Sequence, residues 1–458
     1  MADRQETSTN AGPANTAPST KDLKRVLGFG DLMAMAVGYI IGAGIMSLMG
    51  VSIGMTGRST IFAFPLAALM IMMVFVPTII VCGTIRIRGG SYTSSVLLGG
   101  KYLGGIVTLL ALIMNLSVAM YGLSFADYFL RFFPQLPRQL VAFGVITLFW
   151  IVNMVGIDKT AKIQNWIVGI MCVSLALFAA FGVNKIQPGF FGEGFMTNGA
   201  LGFLQAAALL TWATGGAQVI VALSGEAKNP TRDIPLVYFT SSILVALLYA
   251  VIALVASGVL PLEQVAYQPL TQVAETILPT PVFIFFMVGG AMFALATTLN
   301  AQFASMTKSV LQMSVDGWMP RQMAYLHPKF KTPWVWLTVF YVIGVLCVFT
   351  GLDIGGMASM LLFVSQIMLI FINVLVVRLP KVLPEAWARS KFKVSIPVLW
   401  TIMVLSVIFG IVQVWLLLSY MTRNLILINV GIVALIFVFC LWRIKSGKVH
   451  IEVSYEYD

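Results

Sequence analysis

Apolar residues run through this chain in long stretches divided by short polar ones. An α-helix needs about 20 apolar residues to cross a hydrocarbon core of about 30 Å, and stretches of that length recur from end to end. Twelve can be marked, at residues 30–54, 60–83, 103–130, 139–156, 163–183, 199–227, 236–259, 281–307, 333–351, 356–377, 395–419 and 424–442. The strands of a membrane barrel would instead alternate apolar and polar residues over about ten positions. The pattern therefore predicts an all-α integral membrane fold of twelve transmembrane helices, with backbone hydrogen bonds closed within each span. Composition points the same way. Of 458 residues 59% are hydrophobic and 10% charged, with mean hydropathy +0.94, more apolar surface than a water-soluble fold can bury.

Lysine and arginine set the direction. Cytoplasmic loops hold the excess of both, and placing the N-terminus inside leaves only Arg58, Arg131, Arg138, Lys185 and Arg423 outside, of 28 such residues in the chain. Both termini are then expected in the cytoplasm, with the chain in a plasma membrane, the inner membrane of a bacterium. The net charge of +11 becomes a collar facing the membrane lipid, and no nucleic-acid partner is needed to explain it. Residues 1–24 lack the apolar core of a signal peptide and read as a disordered tail, and 446–458 read as a second tail. Cys82, Cys172, Cys347 and Cys440 each fall inside a span, so no disulfide framework is expected.

Two spans carry glycine where a helix should be most regular. Residues 38–45 read GYIIGAGI and residues 211–218 read TWATGGAQ. Gly38 and Gly42 fit a small-xxx-small packing pair, whereas Gly215 and Gly216 are adjacent, which suits unwinding better than a packing face. The second segment lies five spans after the first, and an odd offset inverts one repeat relative to the other. The expected organisation is a first repeat at 25–184, an inverted second repeat at 185–380 and two peripheral helices at 381–445, with the first and sixth helices broken. Unwound backbone at mid-membrane leaves N–H and C=O groups unpaired, at several kcal/mol each in hydrocarbon. A zwitterion answers both needs: N–H groups at the start of a half-helix attract a carboxylate, and carbonyls at the end of one attract an ammonium.

Three further segments complete a resemblance. GGSYTSS at the start of the third helix, GEAKNPTRDIP after the sixth and DGWMPRQMAYLHPKFKTPW between the eighth and ninth join IGAGI in the first. Together, over roughly residues 25–380, they resemble the signature segments of the amino acid, polyamine and organocation superfamily of transporters. The resemblance implies a five-plus-five inverted-repeat fold that works by alternating access on amino acids or related amines. It implies that N–H groups of Ala43, Gly44 and Ile45, after Gly42, hold the substrate carboxylate. Carbonyls of Ile40, Trp212 and Gly215, beside Gly216, would hold the amine. Trp212 would also gate or wall the pocket, a core or interfacial tryptophan being the plainer reading. Relatives often place a bulky aromatic and an acid where this chain has Thr214 and Gln218, so a roomier, less charged pocket is expected. Asn115 either faces that pocket or packs between helices.

Coupling and substrate charge follow from a few positions. The lysine that some proton-coupled and exchanger relatives carry in the fifth helix is absent, the aligned position being about Met171. Thr297 and Thr298, with the Ala294 carbonyl one turn earlier and the Gly38 and Ile41 carbonyls opposite, resemble the sodium site of relatives with this fold. Both threonines could equally bond back to their own helix, so Na+ coupling and ion-free exchange stay open. Ionisable residues inside a membrane are costly and usually functional, and the middle of this bundle is almost empty of them. Asp127 and Glu226 lie near span ends, and His327 and His450 in cytoplasmic segments. A polyamine or cationic amino acid would want acids in the pocket, so a neutral amino acid is favoured over a cationic exchanger. A non-transporting amino acid sensor is the rival from another class. Residues 260–280 read as an external loop with a short helix, either an outer lid or a plain connector. No nucleotide-binding loop, metal-ligand cluster or hydrolytic triad is evident, which argues against an enzyme or an ATP-driven pump. Residues 131–138 hold no cysteine for a disulfide-linked partner subunit.

Overall fold

Helix occupies the apolar stretches in the computed structural model, which describes residues 27–87, 90–155, 160–224, 226–330, 332–449 and 455–456. The expected tail at 1–24 and His450 lie outside the described residues. The first half of the chain holds α1 (Phe29–Ile40), α2 (Ala43–Thr56), α3 (Thr60–Cys82), α4 (Gly90–Ala111), α5 (Leu116–Phe129), α6 (Arg138–Val155) and α7 (Thr160–Val183). Then follow α8 (Gly199–Thr214), α9 (Pro230–Gly258), α10 (Leu262–Val265), α11 (Thr271–Ile277), α12 (Thr280–Phe285) and α13 (Phe293–Val315). The remainder is α14 (Trp334–Val348), α15 (Ile354–Leu375), α16 (Leu379–Val382), α17 (Pro384–Arg389), α18 (Ile396–Tyr420) and α19 (Arg423–Lys445).

By length and apolarity, ten helical runs among the described residues could cross a membrane, with α14 as a shorter apolar helix. One of the ten, Phe29–Cys82, is 54 residues long. At 1.5 Å per residue that is about 80 Å, far beyond one bilayer, and it is divided by the gap at 41–42 and the 3-10 turn Gly57–Ser59. β structure among the described residues is one antiparallel pair, β1 (Arg86–Ile87) with β2 (Tyr455–Glu456), plus a bridge between Leu27 and Ala227.

The third span begins earlier than its apolar run, at Gly90 rather than 103. Its first turns are polar, which hides them from hydropathy, but protein rather than lipid covers them. The Tyr92 hydroxyl donates to the Asp316 carboxylate, and Ser94 and Ser95 are buried. The chain then bends at Gly100 (φ 76°), and Gly105 receives the ring of the buried Trp318. Segment 260–280 carries helix, as expected, in two short pieces, α10 and α11.

α3 sits centrally, packed on α8, α9, α15 and α18. Lipid tails are as apolar as leucine, so close contact and interhelical hydrogen bonds hold such helices together, the bonds at about 0.6–2 kcal/mol each. Two of them tie α3 to its neighbours: Asn373 Nδ2 donates to the Val74 carbonyl and Ser406 Oγ to the Met73 carbonyl, both at 2.8 Å. The bundle has two ends. The basic face carries residue 27, β1, 226–230, 316–330 and 379–395; the opposite face carries 57–59, 130–138, 184–198, α10 and α11.

Candidate functional site at two helix breaks

The breaks in the first and sixth spans touch. α1 ends at Ile40; Ile41 (φ −76°, ψ 46°) and Gly42 (φ −101°, ψ −143°) leave helical geometry, and α2 resumes at Ala43. α8 ends at Thr214, and after Gly215 the chain tightens into a 3-10 segment, Gly216–Leu223. The interruption of the sixth span is therefore a one-residue gap followed by a tighter helix, rather than an extended unwound stretch. α1 packs on the 3-10 segment and α2 on α8, so the two broken helices cross antiparallel with their breaks side by side. A Cβ on Gly216 would stand 2.5 Å from the Tyr39 carbonyl oxygen, and one on Gly44 2.5 Å from Ala213 Cα. Glycine is what lets backbone meet backbone here.

Four helix ends thus converge, two presenting N–H groups (α2 and the 3-10 segment) and two presenting carbonyls (α1 and α8). Some of these groups have partners. The Ala43 N–H donates to Thr298 Oγ1 at 3.1 Å, and the Thr298 hydroxyl donates to the Ala294 carbonyl at 2.8 Å. The hydroxyl of Tyr249, fully buried on α9, donates to the Ile40 carbonyl at 2.5 Å. The Gly215 carbonyl accepts from the Gln218 N–H at 3.3 Å. The N–H groups of Gly44 and Ile45 are buried and have no acceptor among the described residues.

The other sequence-derived positions are placed as follows. Trp212 is half-buried with its indole against the hydroxyl of the buried Tyr121. Thr214 is buried and its hydroxyl donates to the Leu210 carbonyl at 3.2 Å. Asn115 is buried and its Nδ2 donates to the Phe340 carbonyl at 2.8 Å, tying α14 to the start of α5; its Oδ1 has no partner among the described residues. Gly38 is buried inside α1. Thr298 faces the break, since a Cβ on Gly42 would lie 2.3 Å from its Oγ1. The Thr297 hydroxyl instead bonds to the Phe293 and Ala294 carbonyls of its own helix, at 2.9 and 3.1 Å.

Just beyond α2's first turn lies a cavity of about 180 Å³, about six times the liquid volume of a water molecule. Its wall includes Met46, Ser47, Ser124, Asp127, Tyr128 and Arg138. The hydroxyls of Ser47 and Ser124 are buried without a hydrogen-bond partner among the described residues. Asp127 is not a free acid, because Arg138 grips both its oxygens at 2.6 and 2.7 Å.

Both ends of this region are covered. Toward the opposite face, the Tyr267 N–H donates to the Gly50 carbonyl at 2.7 Å and the Tyr267 ring fills the space at Gly54. The Tyr128 hydroxyl donates to the Met46 carbonyl at 3.1 Å and accepts from the Leu270 N–H at 3.4 Å. Toward the basic face, the Leu27 N–H donates to the Glu226 carbonyl at 3.1 Å and the Lys228 N–H returns to the Leu27 carbonyl at 2.8 Å.

This arrangement coincides with a family match. A family model described as amino acid permease matches residues 27–439. The chain belongs to this family. The resemblance carried by IGAGI and the three loop segments is thereby shown, and with it a multi-pass membrane protein. The permease is 28% identical over 338 residues to a branched-chain amino acid permease of Bacillus subtilis, covering 69% of this chain and 72% of that one. It is 25% identical over 405 residues to the methylthioribose transporter of the same organism, at 83% and 87% coverage. Cationic amino acid transporter 5 of Arabidopsis thaliana is 25% identical over 376 residues, at 75% and 63%. All three relatives are transporters.

Four residues of the candidate site escape a reading of sequence alone. Tyr249, Tyr128 and Ser124 are remote in the chain from the segments they meet, and nothing local marks them. Ser47 carries a faint signal, a hydroxyl one turn past a break in an otherwise apolar run.

Proposed function

We propose that this permease is a secondary transporter of neutral amino acids whose substrate binds as a zwitterion between the two helix breaks. The observation that carries the proposal is the convergence of the buried, unpaired N–H groups of Gly44 and Ile45 with the carbonyl ends of α1 and α8. A carboxylate satisfies the first and an ammonium the second, each interaction strengthened by the low dielectric around it. Trp212, beside the break, walls the amine end, and the cavity bounded by Met46, Ser47 and Ser124 receives the side chain. Neutrality is favoured because both acids lining that cavity already have partners: Arg138 matches Asp127, and Asp353, at the N-terminus of α15, accepts the Gly356 N–H at 2.9 Å. The buried acids Asp233 and Asp316 lie near the basic face.

In this reading the helices make twelve crossings. The antiparallel contact of the broken helices reflects two inverted repeats of five, with α18 and α19 outside them. The basic face is cytoplasmic, so both termini are inside. Transport alternates between releasing the contacts of Tyr267 and Tyr128 on α2, which opens the outside, and releasing Leu27 from 226–228, which opens the cytoplasm. Sodium coupling rests on Thr298, whose hydroxyl oxygen, with the Ala294, Gly38 and Ile41 carbonyls, supplies the hard uncharged oxygens that a monovalent cation takes. The ion would have to share that hydroxyl with the Ala43 N–H.

The test is a thermal-shift screen of the detergent-purified protein with the twenty amino acids and common amines, followed by uptake of the best ligand into proteoliposomes. The proposal expects a neutral amino acid to stabilise and to accumulate. Stabilisation by a polyamine alone, or binding without uptake, would refute it, the latter favouring a sensor. Preloading vesicles with the same amino acid separates exchange from net symport.

A further inference from the structure

Away from the helix breaks, on the basic face, a second cavity of about 670 Å³ opens between the end of α3, the start of α9 and the α17 connection. Lys228, Arg232, Arg389 and Lys391 line it, and among the described residues no acid does. None of these four side chains forms an ion pair or hydrogen bond among the described residues. Glu385, one turn before Arg389 on α17, is not in its lining, nor is Asp233, which is buried in the first turn of α9. The inner wall is Arg86, only 2% exposed, whose guanidinium donates to the Ala227 carbonyl at 2.8 Å and the Lys228 carbonyl at 3.4 Å. The 29-residue helix α9 starts here. Its first turn has Pro230 at its head and no side chain capping it, and Asn229 and Thr231 face the cavity. The positive end of that helix adds to the same field.

Four like charges around one cavity repel unless an anion sits among them. We propose that this cavity holds the phosphate of an anionic phospholipid headgroup. A phosphate group is the chemistry indicated by arginines, lysines and an uncapped helix start. The lipid source is argued from the flanks. α9 and α18 both pack on α3, and both leave the cavity region with apolar, exposed residues: Leu236 and Ile243 follow Arg232 along α9, and Ile396 and Trp400 open α18 shortly after Lys391, at 41–53% exposure. A headgroup in the cavity places acyl chains against these apolar residues, which a free phosphate cannot use. Bound there, the lipid bridges α3, α9 and the α17 connection, and stiffens the base of the helices that carry the site. The inference does not depend on which substrate the permease carries.

The experiment measures binding of spin-labelled phosphatidylglycerol to the reconstituted full-length protein, with phosphatidylcholine as the zwitterionic probe and inorganic phosphate as competitor. Its variants are Arg232→Gln/Arg389→Gln/Lys391→Gln and a control with three charges removed elsewhere on the basic face, Lys101→Gln/Lys329→Gln/Lys445→Gln. Wild type and control are expected to hold a saturable phosphatidylglycerol component absent with phosphatidylcholine, and the cavity variant to bind at least about tenfold more weakly. Equal loss in the control reduces the effect to general surface charge and overturns the proposal. So does full displacement by millimolar phosphate, which assigns the cavity to a soluble anion. A cavity variant that folds, by an unchanged melting temperature and a monodisperse elution profile in detergent, yet binds phosphatidylglycerol as wild type does overturns it as well.

Discussion

Gly44→Ala separates a glycine kept for packing from one kept for binding. The new methyl would lie 2.5 Å from Ala213 Cα and 2.9 Å from its Cβ, where carbon atoms normally stand 3.5–4.0 Å apart. Backbone is on the other side, so no rotamer relieves the clash and α2 must move away from α8 by about 1 Å. Overpacking of this kind costs about 1–3 kcal/mol of stability. The Gly44 and Ile45 N–H groups move with α2. Each charge-assisted bond to a carboxylate contributes about 1.5–3 kcal/mol, so losing the equivalent of one weakens substrate about 10- to 100-fold. Gly144→Ala and Gly431→Ala serve as controls, because nothing lies within 4 Å of a Cβ at either position. The assay is radioligand binding to purified protein, scaled to the folded fraction, alongside a melting curve. A Gly44→Ala protein that melts lower but binds with wild-type affinity would refute the reasoning, since it would show that α2's N-terminus holds no substrate.

Further outcomes are expected from single side chains. Tyr249→Phe leaves the Ile40 carbonyl without its buried donor, and a loss of about 1–3 kcal/mol should appear as a lower melting temperature. Thr298→Ala uncaps the Ala43 N–H and removes the threonine hydroxyl facing the break; uptake that depends on sodium in wild type should lose that dependence, as measured in sodium against choline buffer. Arg138→Gln leaves Asp127 unmatched beside the cavity, so lysine and arginine should begin to compete with the neutral substrate in uptake assays. Ser47→Val fills cavity volume and removes an unpaired hydroxyl, and should narrow the substrate range toward smaller side chains in a competition panel.

The helices and both breaks were legible in sequence because each rests on a local rule. A span must be about 20 apolar residues long, and Gly42, Gly215 and Gly216 interrupt spans where propensity would keep them regular. The start of α4 was not legible, because Tyr92, Ser94 and Ser95 look like loop residues until Asp316 and Trp318 are seen to enclose them. The form of the second break was also hidden: tightening to a 3-10 segment after Gly215 depends on the contact between Gly216 and the Tyr39 carbonyl, remote in the chain. The same holds for the site's polar side chains. That Tyr249 would meet Ile40, or Arg138 neutralise Asp127, follows from helix packing that no local pattern encodes.

The central claim is that the two breaks hold both charged ends of an amino acid. Competition for uptake into proteoliposomes tests it most directly, using three competitors of one side chain: the amino acid itself, the amine lacking its carboxylate, and the N-acetyl acid lacking its ammonium. The account predicts that only the intact zwitterion competes, each truncated form being weaker by about tenfold or more. Equal competition by the amine would contradict it, because the N–H groups of Gly44 and Ile45 would then be holding nothing.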